Sequence, residues 1–206
     1  MKPIARFQQE CEAFFEALGS AEQKPLIFGD GQSENPVLML IGEAPGEHET
    51  LQGKPFVGKA GKNLEAFLQT LHLKRGDIYI SNVVKIRPTK VSAAGRVVNR
   101  PPSREEKALF TPWLMREIAV VQPGALVTLG NVALQVFLKQ SIGAVHGQWN
   151  RAVIAPPEQA AFTLPLFALY HPASIIYNPA LSTVYQDDLG TLGKSLGAQS
   201  NADDDI

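Results

Sequence analysis

Short apolar runs that alternate with stretches of helical period restrict this chain to one broad kind of fold. Val37 to Ile41 is an unbroken apolar run closed by Gly42, and Asp77 to Val84, Gly124 to Gly130 and Leu164 to Tyr170 read as further strands. Between them, Leu64, Phe67, Leu68 and Leu71 fall at i, i+3, i+4 and i+7, the spacing of an amphipathic helix. More helices are read over 5–18, from Ser103 towards Val121, from about Asn131 to Lys139, and over 181–196. Ser103 followed three residues later by Glu106 is a capping box. Ala152 to Ile154 makes one more short strand. Strands separated by helices pair in parallel and carry helices on both faces. The expectation is therefore a three-layer α/β/α domain with a central, mostly parallel four-stranded sheet over residues 1–196. Residues 197–206, with Asp203-Asp204-Asp205, are expected to form an acidic flexible tail.

Composition narrows the function classes. The chain has 206 residues, 45% hydrophobic and 19% charged, enough apolar material for one core. A single cysteine, Cys11, permits no intramolecular disulfide and no cysteine-rich metal site. The N-terminal residues lack the apolar run of a signal peptide, and no apolar stretch is long enough to span a bilayer. The expectation is a soluble, cytoplasmic monomer with no membrane contact and no obligatory protein partner. Net charge is −1, so a protein that coats nucleic acid through its overall charge is excluded. The charge is unevenly placed, however. Lys85, Arg87, Lys90, Arg96, Arg100, Arg104 and Lys107 face only Glu105 and Glu106 in the segment 85–107. Such a run is either a solvated face or a local patch for phosphates.

In open parallel sheets, ligands bind at the carboxyl ends of the strands, and polar groups gather at those ends here. The first strand runs into Gly42-Glu43-Ala44-Pro45-Gly46-Glu47-His48-Glu49, with carboxylates able to orient a water or stabilise a cationic transition state. Phe56 follows in a loop, as core packing or as a stacking face for a flat ring. Asn82 ends the second strand with a planar donor–acceptor amide suited to a nucleobase edge. His171 ends the last strand, placed to donate to a developing anion. Gly53-x-x-x-x-Gly58-Lys59-Ala60 is close to a phosphate loop, but Ala60 stands where a Mg²⁺-binding hydroxyl is required. The backbone N–H groups of Gly58, Lys59 and Gly61 could instead meet a DNA phosphate at a helix start. No spacing of His or carboxylates suits a metal.

Four motifs in this order resemble the uracil-DNA glycosylase superfamily, most closely its thermophile-type, family 4-like branch. They are Gly42 to Glu49, Gly53 to Gly61, Ser81-Asn82-Val83-Val84-Lys85-Ile86-Arg87-Pro88, and His171-Pro172-Ala173. The resemblance covers roughly residues 10–196 and implies roles. Glu43 and Glu49 would hold the deoxyribose and the attacking water. Gly42 and Phe56 would border an extruded uracil, with Phe56 stacked on it, while Asn82 would bond the uracil's pairing edge. His171 would face uracil O2, and Ile175, Ile176 and Tyr177 would form the wedge that fills the gap in the stack. Lys59, Lys85, Arg87, Arg96, Asn99 and Arg100 would contact the DNA.

The chain departs from the family in three places. That branch usually carries an iron–sulfur cluster, but only Cys11 matches its cysteines, with Phe14, Ile86 and about Phe110 at the other positions. No cofactor is therefore expected. Tyr177 stands where an Arg is usual. Thr89 to Pro102 looks like the inserted loop of a subgroup that links covalently to DNA through a His; Asn99 takes that position and cannot serve as the nucleophile. Ala44, where the superfamily's best-known branch has an Asp base, is normal for the closer family. The implied activity is hydrolysis of the N-glycosidic bond of uracil in DNA. The alternative on the same fold is a non-catalytic or differently specific binder of damaged bases.

Overall fold

The computed structural model describes residues 1–19 and 24–203. Its centre is a six-stranded sheet. The strands are β1 (Asp30–Gly31), β2 (Leu38–Gly42), β3 (Tyr79–Asn82), β6 (Ala125–Leu129), β7 (Trp149–Ile154) and β8 (Phe162–Leu169), in the order β1-β3-β2-β6-β8-β7. The four central strands β3, β2, β6 and β8 are parallel, as the alternating pattern requires. The expected four-stranded sheet is thus extended by two antiparallel edges, β1 beside β3 and β7 beside β8. β1 is two residues long and carries no apolar run, so it has no pattern to reveal it.

Every residue of β2 is buried, and its side chains alternate between two cores. Met39 and Ile41 pack with Phe110, Leu114 and Ile118 of α4 (Arg104–Val121), and with Leu134 of α5 (Asn131–Phe137). Leu38 and Leu40 pack on the other face with Leu64, Phe67 and Leu68 of α3 (Lys59–Thr70). Leu189 and Leu192 of α8 (Leu181–Asp203) complete that face. A third cluster joins Phe7 and Cys11 of α1 (Pro3–Ala17) to Trp113 of α4. Three layers result. Among the described residues no helix is long and apolar enough to cross a membrane.

Several short elements escape the periodicity argument: α2 (Glu47–Gln52), α6 (Ile142–Val145), α7 (Pro172–Tyr177), and the hairpin of β4 (Thr89–Val91) with β5 (Val97–Asn99). The segment 89–102, read as an inserted loop, is largely this hairpin. Helix α8 continues through Asp203, past the point where composition suggests a frayed tail; residues 204–206 lie outside the described residues.

The predicted capping box at α4 forms. Ser103 Oγ accepts from Glu106 N–H at 3.1 Å, and Ser103 N–H donates to Glu106 Oε2 at 2.7 Å. Ser103→Ala should lower stability to urea by about 1 kcal/mol; a shift of the denaturation midpoint checks it.

Candidate active site

The carboxyl ends of β2, β3 and β8 meet at one rim and enclose a cavity of about 470 Å³, within the roughly 300–1,000 Å³ usual for small-molecule sites. Phe56, Asn82 and His171 line it together with Glu49, Arg87 and Asn99. The three base-facing candidates therefore converge from distant parts of the chain.

Glycines make that convergence possible. A Cβ on Gly42 would lie 2.5 Å from Asn82 Oδ1 and 2.6 Å from Phe56 Cζ, so the strand end must be bare there. Gly130, at φ +85°, leaves room for the His171 side chain; a Cβ would stand 3.1 Å from His171 Cβ. Phe56 itself has φ +53°, the left-handed region, which costs a side-chain-bearing residue roughly 1–2 kcal/mol. Arg75 holds this conformation. Its guanidinium donates to the carbonyls of Phe56, at 3.2 Å, and Pro55, and it pairs with Asp30 at 3.4 Å. No motif marks Arg75; only the positive φ it supports, invisible in sequence, shows its role.

Glu49 is buried, and its carboxylate is occupied by backbone. Oε2 accepts from Gly46 N–H at 3.1 Å, and Oε1 accepts from Val57 and Gly58 N–H at 3.0 and 2.8 Å. It is a clamp between the loop after β2 and the loop carrying Phe56. The same bond withdraws Gly58 N–H from any phosphate, and Gly61 N–H bonds Gly58 O at 3.0 Å. The proposed anion cradle at this helix start therefore lacks two of its donors. Glu43 does not line the cavity. Burial raises its pKa, and the charge acting against that shift is Lys107 of α4, on the other face of the sheet.

His171 is the N-cap of α7. Its Nδ1 accepts from Ala173 N–H at 3.1 Å, which puts the proton of the neutral ring on Nε2. Burial pulls its pKa down to about 4, so the ring is neutral at physiological pH. The ring also stacks on Phe56, with centroids 6.0 Å apart and planes at 27°. Asn63 of α3 steadies α7 by donating to Pro172 O at 3.0 Å. Asn82 is buried, and it meets the cavity with its side-chain amide.

The basic segment divides on inspection. Lys85 is not a surface group: it is fully buried and paired with Glu117 at 2.6 Å. Arg100, half-buried, is bound bidentately to Glu106 at 2.6 and 2.7 Å and to Thr89 O at 3.0 Å, and so fixes the base of the hairpin. Arg87 donates to Asn99 Oδ1 at 2.7 Å and pairs with Glu47 at 3.4 Å at the cavity mouth. Arg96 and Lys90 are exposed on the hairpin. In the wedge, Tyr177 is 87% exposed, whereas Ile175 packs partly against the core. The side chains of Ile176 and Lys59 lie outside the described residues.

The positions that would carry an iron–sulfur cluster do not fit one. Cys11 is buried among Phe7 and Trp113, and burial pushes its thiol up to about 12, away from the thiolate a cluster needs. Phe110 stacks on Phe15 at 4.6 Å, and Ile86 packs against the core. Among the described residues no group of three or more His, Cys, Asp or Glu could hold a metal.

Comparison with known proteins identifies the family. A family model described as the uracil DNA glycosylase superfamily matches residues 28–189. The Type-4 uracil-DNA glycosylase of Saccharolobus solfataricus is 34% identical over 187 residues, 86% of this chain and 79% of that protein. The Type-4 enzymes of Archaeoglobus fulgidus and Pyrobaculum aerophilum are 33% and 34% identical, covering 80% and 81% of this chain and 79% and 81% of their own lengths.

The His171 environment has a signed consequence. Its folded pKa of about 4 lies below the ordinary 6.5, so the unfolded chain binds more protons between those values. The contribution to stability is complete above pH 6.5 and is lost as the pH falls towards 4. Imidazole ¹⁵N shifts should report a neutral ring with the proton on Nε2 at pH 6, and His171→Gln should flatten the acid limb of the stability profile.

Proposed function

Because the chain belongs to the uracil-DNA glycosylase superfamily, we propose that it hydrolyses the N-glycosidic bond of uracil in DNA, releasing free uracil and leaving an abasic site. The observation that carries this reading is the meeting of Phe56, Asn82 and His171 around one cavity at the sheet's rim. The three supply a stacking face, a planar donor–acceptor edge and a neutral N–H donor, which together suit one flat pyrimidine.

The chemistry follows from those groups. A base can be attacked only after it leaves the duplex stack, and an apolar wedge at α7 offsets part of the lost stacking. The Asn82 amide accepts from uracil N3–H and donates to O4; cytosine presents the opposite pattern and is rejected. As the N1–C1′ bond breaks, its electron pair moves to the base and charge builds on O2. His171 Nε2–H donates to that oxygen without needing to lose or gain a proton. The sugar becomes cationic and is stabilised by the Glu49 carboxylate at the cavity wall. Water then adds at C1′ and loses its proton to solvent, and the uracil anion is protonated on release. Glu43 enters only through its backbone, which accepts from Val84 N–H at 3.1 Å and shapes the loop.

The DNA backbone is met by the exposed cations of the hairpin, Lys90 and Arg96, and by Arg87 at the cavity mouth. The enzyme works without an iron–sulfur cluster, its place being taken by the Phe15–Phe110 stack.

Purified protein should release uracil from uracil-containing oligonucleotides without added metal, with no iron on elemental analysis. Asn82→Ala and His171→Ala should each lower the single-turnover rate by on the order of a hundredfold or more while DNA affinity changes little. Strands that survive alkali intact at enzyme excess would refute the activity. Lys90→Ala/Arg96→Ala should weaken DNA binding and reduce the slope of log affinity against log salt by about two, with the bound-state rate retained.

A further inference from the structure

Directly behind Asn82 lies a closed polar network that the chemistry above does not use. Lys85 Nζ donates to Glu117 Oε2 at 2.6 Å, to Ser81 Oγ at 2.6 Å and to the backbone carbonyl of Asn82 at 2.7 Å. Glu117 also accepts from Ser81 Oγ at 2.9 Å and, through Oε1, from Tyr79 OH at 3.0 Å. Lys85 and Glu117 both have 0% side-chain exposure. The ammonium's three donors and both carboxylate oxygens are thus engaged.

Such a pair is a poor source of stability, since apolar residues of similar volume often serve as well in a core. What it provides is a fixed geometry. Tyr79 and Ser81 point to the α4 face of β3, while Ile80 and Asn82 point to the opposite face, towards the cavity. The network therefore grips one face of the strand whose other face ends in the base-reading amide. It also closes the turn from Asn82 to Lys85 by binding the Asn82 carbonyl. We propose that Lys85 and Glu117 are positioning residues that set the Asn82 amide against the pairing edge of the extruded base. The inference rests on the glycosylase reading and deepens it: selectivity for uracil depends on a buried ion pair tied to helix α4.

The test is a double-mutant cycle on uracil release under single-turnover conditions. Lys85→Met/Glu117→Gln removes both charges and keeps the volume. It should keep a melting temperature close to the parent's and bind uracil-containing DNA within about twofold, yet cleave on the order of ten- to a hundredfold more slowly. In an Asn82→Ala background the same pair of changes should cost almost nothing, because the group being positioned is gone. Ser81→Ala, a milder cut in the same network, should show a smaller loss with the same non-additivity, and it decides the matter if the double variant does not fold. Equal losses in both backgrounds, or no loss in the parent background, would overturn the positioning role. A parent chain that releases no uracil at all would overturn the glycosylase reading and the positioning role with it.

Discussion

The buried carboxylate of Glu49 holds the active rim together. It accepts three backbone N–H groups from two segments that have no other reason to be neighbours, one just after β2 and one carrying Phe56. Removing those bonds would loosen the loop that presents the aromatic face, leaving Phe56 held by its packing against α3 and the sheet. Arg75 completes the arrangement from the other side by binding the carbonyls of Pro55 and Phe56. Glu49 and Arg75 together keep Phe56 in a backbone conformation it would otherwise avoid.

The central layers were legible in the sequence because burial on both faces leaves an unambiguous mark. β2 is apolar at Leu38 to Ile41 and stops at a glycine, and the Ser103–Glu106 box announces α4. The rim was legible for a related reason: parallel strands place their last residues side by side, so Asn82 and His171 had to come near the loop after Gly42. What could not be read were features set by partners rather than by pattern. Lys85 and Arg100 look alike in a basic run, yet one is buried against Glu117 and the other is bound to Glu106. Glu43 and Glu49 both look like site carboxylates, and only the path of the backbone sends one to the cavity wall and the other towards Lys107. The hairpin at 89–99 exposes Val91 and Val97, so its alternation follows no buried face.

The relation to the Type-4 enzymes is clearest where the chain departs from what that resemblance implies. Where the resemblance implies a set of thiolates, this chain has one buried thiol and a stacked phenylalanine pair, and α1 is joined to α4 by this packing and by the Glu10–Arg116 ion pair. Helix α4 also carries Glu117 and Lys107, so its placement bears on the rim from behind.

The central claim is that Phe56, Asn82 and His171 form one receptor for a flat base with the donor–acceptor pattern of uracil. It is tested most directly by adding free uracil to isotopically labelled protein and following the Asn82 side-chain amide and the His171 Nε2–H by NMR. The account predicts that both signals move together and saturate together with uracil and stay in place with cytosine. Signals that do not move, or that respond equally to both bases, would contradict it.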